Sequence, residues 1–125
     1  MTQRILVVED QEDNRRIMRD LLASAGYELI EAADGEAGVR LAEAERPDLI
    51  LMDIQLPVLD GYEATRRIRQ NPELRAIPIV VVTSYALSGD DVKAMQAGSD
   101  AYVAKPFSPR ELLATIRKFL GDAKD

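Results

Sequence analysis

Two hydrophobic periods alternate along the chain. The runs RILVV (4–8), ELIEA (28–32), LILMD (49–53), IVVVT (79–83) and AYVA (101–104) are short, apolar and mostly β-branched, and they read as strands. Between them the pattern turns helical, at Ile17, Leu21, Leu22 and Ala25, at Ala37, Leu41 and Ala44, at Ala64 and Ile68, at Val92, Met95 and Gln96, and at Leu112, Leu113, Ile116, Phe119 and Leu120. Gly26, Gly98 and Gly121 are placed to close three of these helices, and Asp34, Asp90 and Ser108 to start others. No internal repeat, low-complexity segment or linker interrupts the alternation.

Strict strand–helix alternation implies right-handed crossovers and a parallel sheet covered by helices on both faces. The predicted fold is α/β, a flavodoxin-like three-layer sandwich of five βα units with strand order 2-1-3-4-5. Ligands of such sheets bind outside the carboxyl ends of the strands, where the order reverses between strands one and three. The segment DLILMDIQLPVLDG runs four apolar residues into Asp53 and then breaks at Pro57 and Gly61. An Asp in that position also suits a cap for the following turn. Glu9 and Asp10 end strand one, Thr83 strand four and Lys105 strand five, so five chemically active side chains are predicted to face one crevice.

Three carboxylates gathered there would repel one another by about 4 kcal/mol per pair at ~4 Å and an effective dielectric near 20. A cation is therefore expected among them. Oxygen ligands without His or Cys select a hard ion, and few carboxylates with room for water favour Mg²⁺ over Ca²⁺.

Composition narrows the chemistry further. With 125 residues, 46% of them hydrophobic, the chain is sized for one domain with one core. Its 22 acidic and 16 basic residues give a net charge of -6, which argues against a nucleic-acid partner. No apolar run approaches the roughly 18 residues of a membrane span, and a cytoplasmic protein is expected. The absence of Cys and His excludes disulfides, thiolate nucleophiles, Ser-His-Asp triads and the usual zinc sites. VVEDQEDN follows strand one where a nucleotide-binding protein would place glycines, and it repels anions. What remains is a carboxylate, a metal, a hydroxyl and an ammonium, the parts needed to form and hold an acyl phosphate, with Asp53 as nucleophile.

LVVED, LILMDIQLPVLDG, VVVTS and AGSDAYVAKPF occur in order, and together they resemble the receiver domain of two-component response regulators over essentially the whole chain. The DIQLP segment is similar to the stand-alone, DivK-like class. The resemblance implies a receiver domain over residues 1–121, a tail over 122–125 and no output domain. It implies that Asp53 accepts phosphate from a histidine of a sensor kinase or phosphotransferase, and that Glu9, Asp10, Asp53 and the backbone carbonyl of Gln55 hold Mg²⁺. Thr83 and Lys105 would then bond the phosphoryl oxygens, Tyr102 would be the switch aromatic, and the Lys105–Pro106 bond would be cis, a geometry tolerated chiefly before proline. The protein would act only on its own phosphorylation and dephosphorylation, as a monomer or weak homodimer.

Within this reading a relay to a downstream effector, allosteric control of a kinase and a phosphate sink all remain open. A haloacid-dehalogenase-type phosphatase needs a second acid where Gln55 stands, and a flavin carrier needs a phosphate loop that is missing after strand one. The first helix is expected to dock the phosphodonor. Ile17 and Met18 are adjacent and cannot share one face, so one of them should be part-exposed beside Asn14 and Arg15, unless a neighbour covers a wide stripe. Gln55 and Tyr85, two residues beyond Asp53 and Thr83, are expected to set phosphate lifetime, the tyrosine by excluding water.

Overall fold

The computed structural model describes residues 2–83 and 90–121, with residues 83, 90 and 91 described by their backbone alone. Among the described residues the elements run β1 (Arg4–Val8), α1 (Glu12–Ser24), β2 (Glu28–Ala32), α2 (Gly35–Glu45), β3 (Leu49–Asp53), α3 (Gly61–Gln70), a 3-10 turn (Pro72–Leu74), β4 (Ile79–Thr83), α4 (Asp90–Ala97), β5 (Ala101–Ala104) and α5 (Pro109–Leu120). The strands coincide with the five predicted runs. They form one parallel sheet in the order β2-β1-β3-β4-β5, with Val8 opposite Met52, Asp53 opposite Val82 and Thr83 opposite Ala104.

The alternation of side chains along each strand divides the core in two. Ile5, Val7, Leu49, Leu51, Val80 and Val82 meet Met18 and Leu22 of α1 and Leu112 and Ile116 of α5. On the other face Leu6, Val8, Ile50 and Met52 meet Ala42 of α2 and Ala64 and Ile68 of α3. α4 adds Ala94, packed on Ile54 and Val81. β3 is buried at every position, which is why its sequence shows no polar alternation.

Helix starts follow local chemistry. The Asp34 carboxylate accepts from the Ala37 amide at 2.7 Å, and Ser108 and Glu111 form a reciprocal capping box. Asp60 caps α3 by accepting from the Glu63 amide at 2.9 Å, a start beyond those expected at Asp34, Asp90 and Ser108. At the edge opposite the crevice, Arg69 donates to the carbonyls of Gly98 and Ile77 (2.8 Å each) and pairs with Asp100 at 2.6 Å. Asp100 in turn accepts from the Ile79 amide at 2.8 Å, so one ion pair ties α3 to the starts of β4 and β5.

The loop from β3 to α3 is packed without slack. The Gly61 amide donates to the Ile54 carbonyl at 2.8 Å, and a Cβ at Gly61 would collide with the Asp53 carbonyl. A Cβ at Gly35, the first residue of α2, would collide with the Leu59 carbonyl. Between these contacts the Leu59 amide donates to the Pro57 carbonyl at 2.7 Å, closing a three-residue turn with Val58 at φ 70°. Left-handed backbone costs a side chain such as valine about 1–2 kcal/mol, and Val58 is 76% exposed, so burial returns little of that. Val58→Gly, after glycine's own entropic cost, should therefore raise the free energy of unfolding by roughly 0.5–1 kcal/mol in urea titration. An unchanged or lower midpoint would show that the turn is not strained.

Candidate functional site

β1 delivers Glu9 to the carboxyl edge, where neighbours hold both its backbone and its side chain. Its amide donates to the Ala32 carbonyl at 3.0 Å, its carbonyl accepts from Arg15 Nη1 at 2.7 Å, and its Oε2 accepts from the Gln11 amide at 3.1 Å. Asp10 follows, half-buried. Asp53, the last residue of β3, is only 8% exposed. Glu9, Asp10 and Asp53 each bring a carboxylate oxygen within 4.8 Å of the others. From the end of β5, the Lys105 ammonium donates to Glu9 Oε1 at 2.7 Å and to Asp53 Oδ2 at 3.4 Å. The Gln55 amide reaches Asp53 Oδ1 only at 3.4 Å, too long for a strong bond, so turn capping explains little of the acid's placement.

The charges respond unequally. Burial pushes the Asp53 carboxyl up to about 6; Lys105 opposes this, while the Glu9 carboxylate adds to it. Burial also acts to raise Glu9, but the Lys105 hydrogen bond and the Gln11 amide outweigh it and hold that carboxyl below its ordinary value. For Lys105 desolvation works against the ammonium, and the hydrogen bond to Glu9 with the charge of Asp53 overcomes it, leaving its pKa raised. One ammonium thus compensates Glu9 well and Asp53 incompletely. The three carboxylates form an all-oxygen donor set with unbalanced negative charge, which fits a hard divalent cation such as Mg²⁺.

Thr83 ends β4 on the same edge by its backbone register, while Ser84 and Tyr85 lie outside the described residues. Gln55 is exposed, two residues past Asp53. Tyr102 on β5 packs with Ile54, Val81 and Ala94, and the Lys105–Pro106 peptide is cis. On α1, Ile17 is 59% exposed and Met18 only 3%, which decides which of the two faces outward. Asn14, Ile17, Met18 and Leu21 line a groove of about 660 Å³ with Lys105, Pro106, Phe107 and Pro109. Arg15, expected on the outer surface, has a side chain only 15% exposed that contacts Glu9, Glu12 and Glu31. The closely packed Gly35 and the inward turn of Arg15 had no signal in the local pattern, whereas Asp60-Gly61 did carry one, an Asp three residues before Glu63.

Residues 5–117 match the model of the response regulator receiver domain family. The polar-differentiation response regulator DivK of Brucella ovis is 44% identical over 123 residues, which covers 98% of this chain and all of the relative. Among solved structures, the receiver domain of sensor histidine kinase PA1611 from Pseudomonas aeruginosa PAO1, with a magnesium ion coordinated in its active site cleft, is 45% identical. It superposes with a TM-score of 0.90, covering 97% of this chain and 99% of that one. The Vibrio cholerae chemotaxis protein CheY4 superposes with a TM-score of 0.89 at 28% identity, covering 95% of this chain and 99% of that one. Among the described residues no helix is long and apolar enough to cross a membrane.

Because folding raises the Asp53 pKa, the stability linked to this group is fully present below its unfolded value near 3.8 and is lost as the pH rises through about 6. In Mg²⁺-free buffer Asp53→Asn should therefore melt at a higher temperature than the parent at pH 7.5, with the difference shrinking toward pH 4. A difference that is independent of pH, or of opposite sign, would contradict this account of the charge balance.

Proposed function

The chain belongs to the response regulator receiver domain family, and from the geometry of its crevice we propose that Asp53 accepts a phosphoryl group from a histidine of a partner kinase or phosphotransferase. The observation that carries this reading is the buried Asp53 carboxylate, bridged to Glu9 by Lys105 and grouped with Asp10 at the switch point of the sheet. An Asp53 oxygen attacks phosphorus, the phosphorus–nitrogen bond breaks, the imidazole leaves with the electron pair, and an acyl phosphate remains. Glu9, Asp10, Asp53 and the Gln55 carbonyl would hold Mg²⁺, which supplies positive charge to an anionic donor approaching an acidic crevice.

Lys105 serves both states. It already spans two carboxylates, and after transfer its ammonium is in place to bond a phosphoryl oxygen. Thr83 is assigned the same role from the neighbouring strand end, and Tyr102, packed against Ile54 and Val81 beside that strand, carries the change toward α4 and β5. The chain then works by differential binding of its partners to the two states, with no turnover of a separate substrate. The likeness to DivK and the oxygen-only donor set support this reading.

The groove between α1 and residues 105–109 opens beside Lys105, and the exposed Ile17 stands on its wall. A protein that brings a phosphohistidine to Asp53 would rest its apolar surface there, with Asn14 alongside.

Acetyl phosphate with Mg²⁺ should add one phosphoryl group to the wild-type chain by intact mass and none to Asp53→Asn, and chelation should stop the reaction. Phosphate uptake by Asp53→Asn equal to the parent's would overturn the assignment. Ile17→Asp should slow transfer from a phosphorylated kinase about tenfold or more, as loss of an apolar contact at an interface centre does, and should leave the acetyl phosphate reaction unchanged. Equal slowing of both reactions would place the defect in the crevice and count against docking on α1.

A further inference from the structure

We propose that Arg15 is the positioning residue of the acidic pair, its guanidinium fixing the peptide between Glu9 and Asp10 and thereby setting where their carboxylates meet a divalent cation. The inference rests on the reading that Glu9 and Asp10 hold Mg²⁺.

The geometry assigns this role to one fork. Arg15 Nη1 donates to the Glu9 carbonyl at 2.7 Å, its Nη2 pairs with Glu12, and its Nε lies 3.4 Å from Glu31 Oε1. These oxygens come from the end of β1, from α1 and from β2. The Glu9 carbonyl belongs to the peptide plane from which Asp10 departs, and the Glu9 amide on the preceding plane is held by Ala32. With both planes held, the chain leaves β1 in one direction only, and Glu9 and Asp10 present their carboxylates toward Asp53.

The other arginines of α1 have different tasks. Arg16 pairs with Asp13 in solvent, and Arg19 reaches Glu31 and Glu12 but not the loop. The charge of Arg15 is largely cancelled where it sits, since Glu12 and Glu31 face Arg15 and Arg19 in a balanced group of four. What Arg15 gives the crevice is direction. A lysine keeps the charge but lacks the planar fork that spans three oxygens from three elements.

Charge and direction predict opposite outcomes, which makes the inference testable. Mg²⁺ binding to the full chain is to be measured by titration calorimetry for wild type, Arg15→Met and Arg15→Lys, at a temperature where each is fully folded by circular dichroism. If Arg15 positions the acids, both variants bind Mg²⁺ more weakly, by about tenfold for Arg15→Met, as happens when groups that orient metal ligands are removed. If it acts only as a nearby positive charge, Arg15→Met binds Mg²⁺ more tightly than wild type and Arg15→Lys binds equally well; that result overturns the proposal. Should Arg15→Met fail to fold, Arg15→Lys decides alone, since wild-type affinity in it also overturns the proposal. A wild-type chain without Mg²⁺ affinity would instead remove the Mg²⁺ reading on which the inference stands.

Discussion

Two carboxylates brought together below a protein surface require positive charge beside them, and in this chain it arrives from 96 residues away, on the ammonium of Lys105. Glu9 and Asp53 lie on adjacent strands because the order of the sheet sets β1 against β3, and Lys105 reaches them because β5 ends at the same edge. A different order of the same five strands would leave the same residues scattered. The sheet topology is thus what makes the electrostatics possible, and the buried apolar faces of β1 and β3 hold that topology in place.

The crevice is not built for stability. An acid pushed up to about 6 by burial is held in a form the fold disfavours at neutral pH, and one lysine shared between two acids leaves the imbalance standing. Stability comes from elsewhere: the two cores, the helix caps, and the Arg69–Asp100 pair at the opposite edge. Such separation is common where a binding or reacting group needs charge that the folded chain alone does not balance. Val58 belongs to the same economy of structure, a left-handed valine on the loop that follows Asp53 rather than in either core.

The sequence showed its strands plainly because each is short, apolar and bounded by polar or turn residues, and the observed limits of all five coincide with those runs. Asp34 and Ser108 were legible as helix starts for the same local reason, while Asp60 carries a comparable signal in an Asp-Gly pair that reads equally as a simple turn. The gathering of Glu9, Asp10, Asp53 and Lys105 followed from topology alone, without any knowledge of side-chain contacts. Helical periodicity left Ile17 and Met18 undecided, since either could lead a stripe, and the packing of Met18 beneath α1 settled the matter. Arg15 illustrates the limit of local pattern. A helical projection sets it beside Asn14 on an outer face, whereas a carbonyl from β1 and a carboxylate from β2 draw it inward, and neither partner is visible in the periodicity of α1.

The two glycines against the loop after Asp53 have a mechanical consequence. At Gly35 and Gly61 backbone lies against backbone so closely that not even a methyl group can be inserted, and interiors packed to that density resist compression. The crevice therefore has an anvil on its α2–α3 side. On that side the loop after Asp53 is braced against the first residues of α2 and α3, and a wall packed so closely does not recede. Two residues without side chains thus set how tightly α2 and α3 can be drawn onto the loop that follows Asp53, and a single methyl group at either would force that side of the crevice apart.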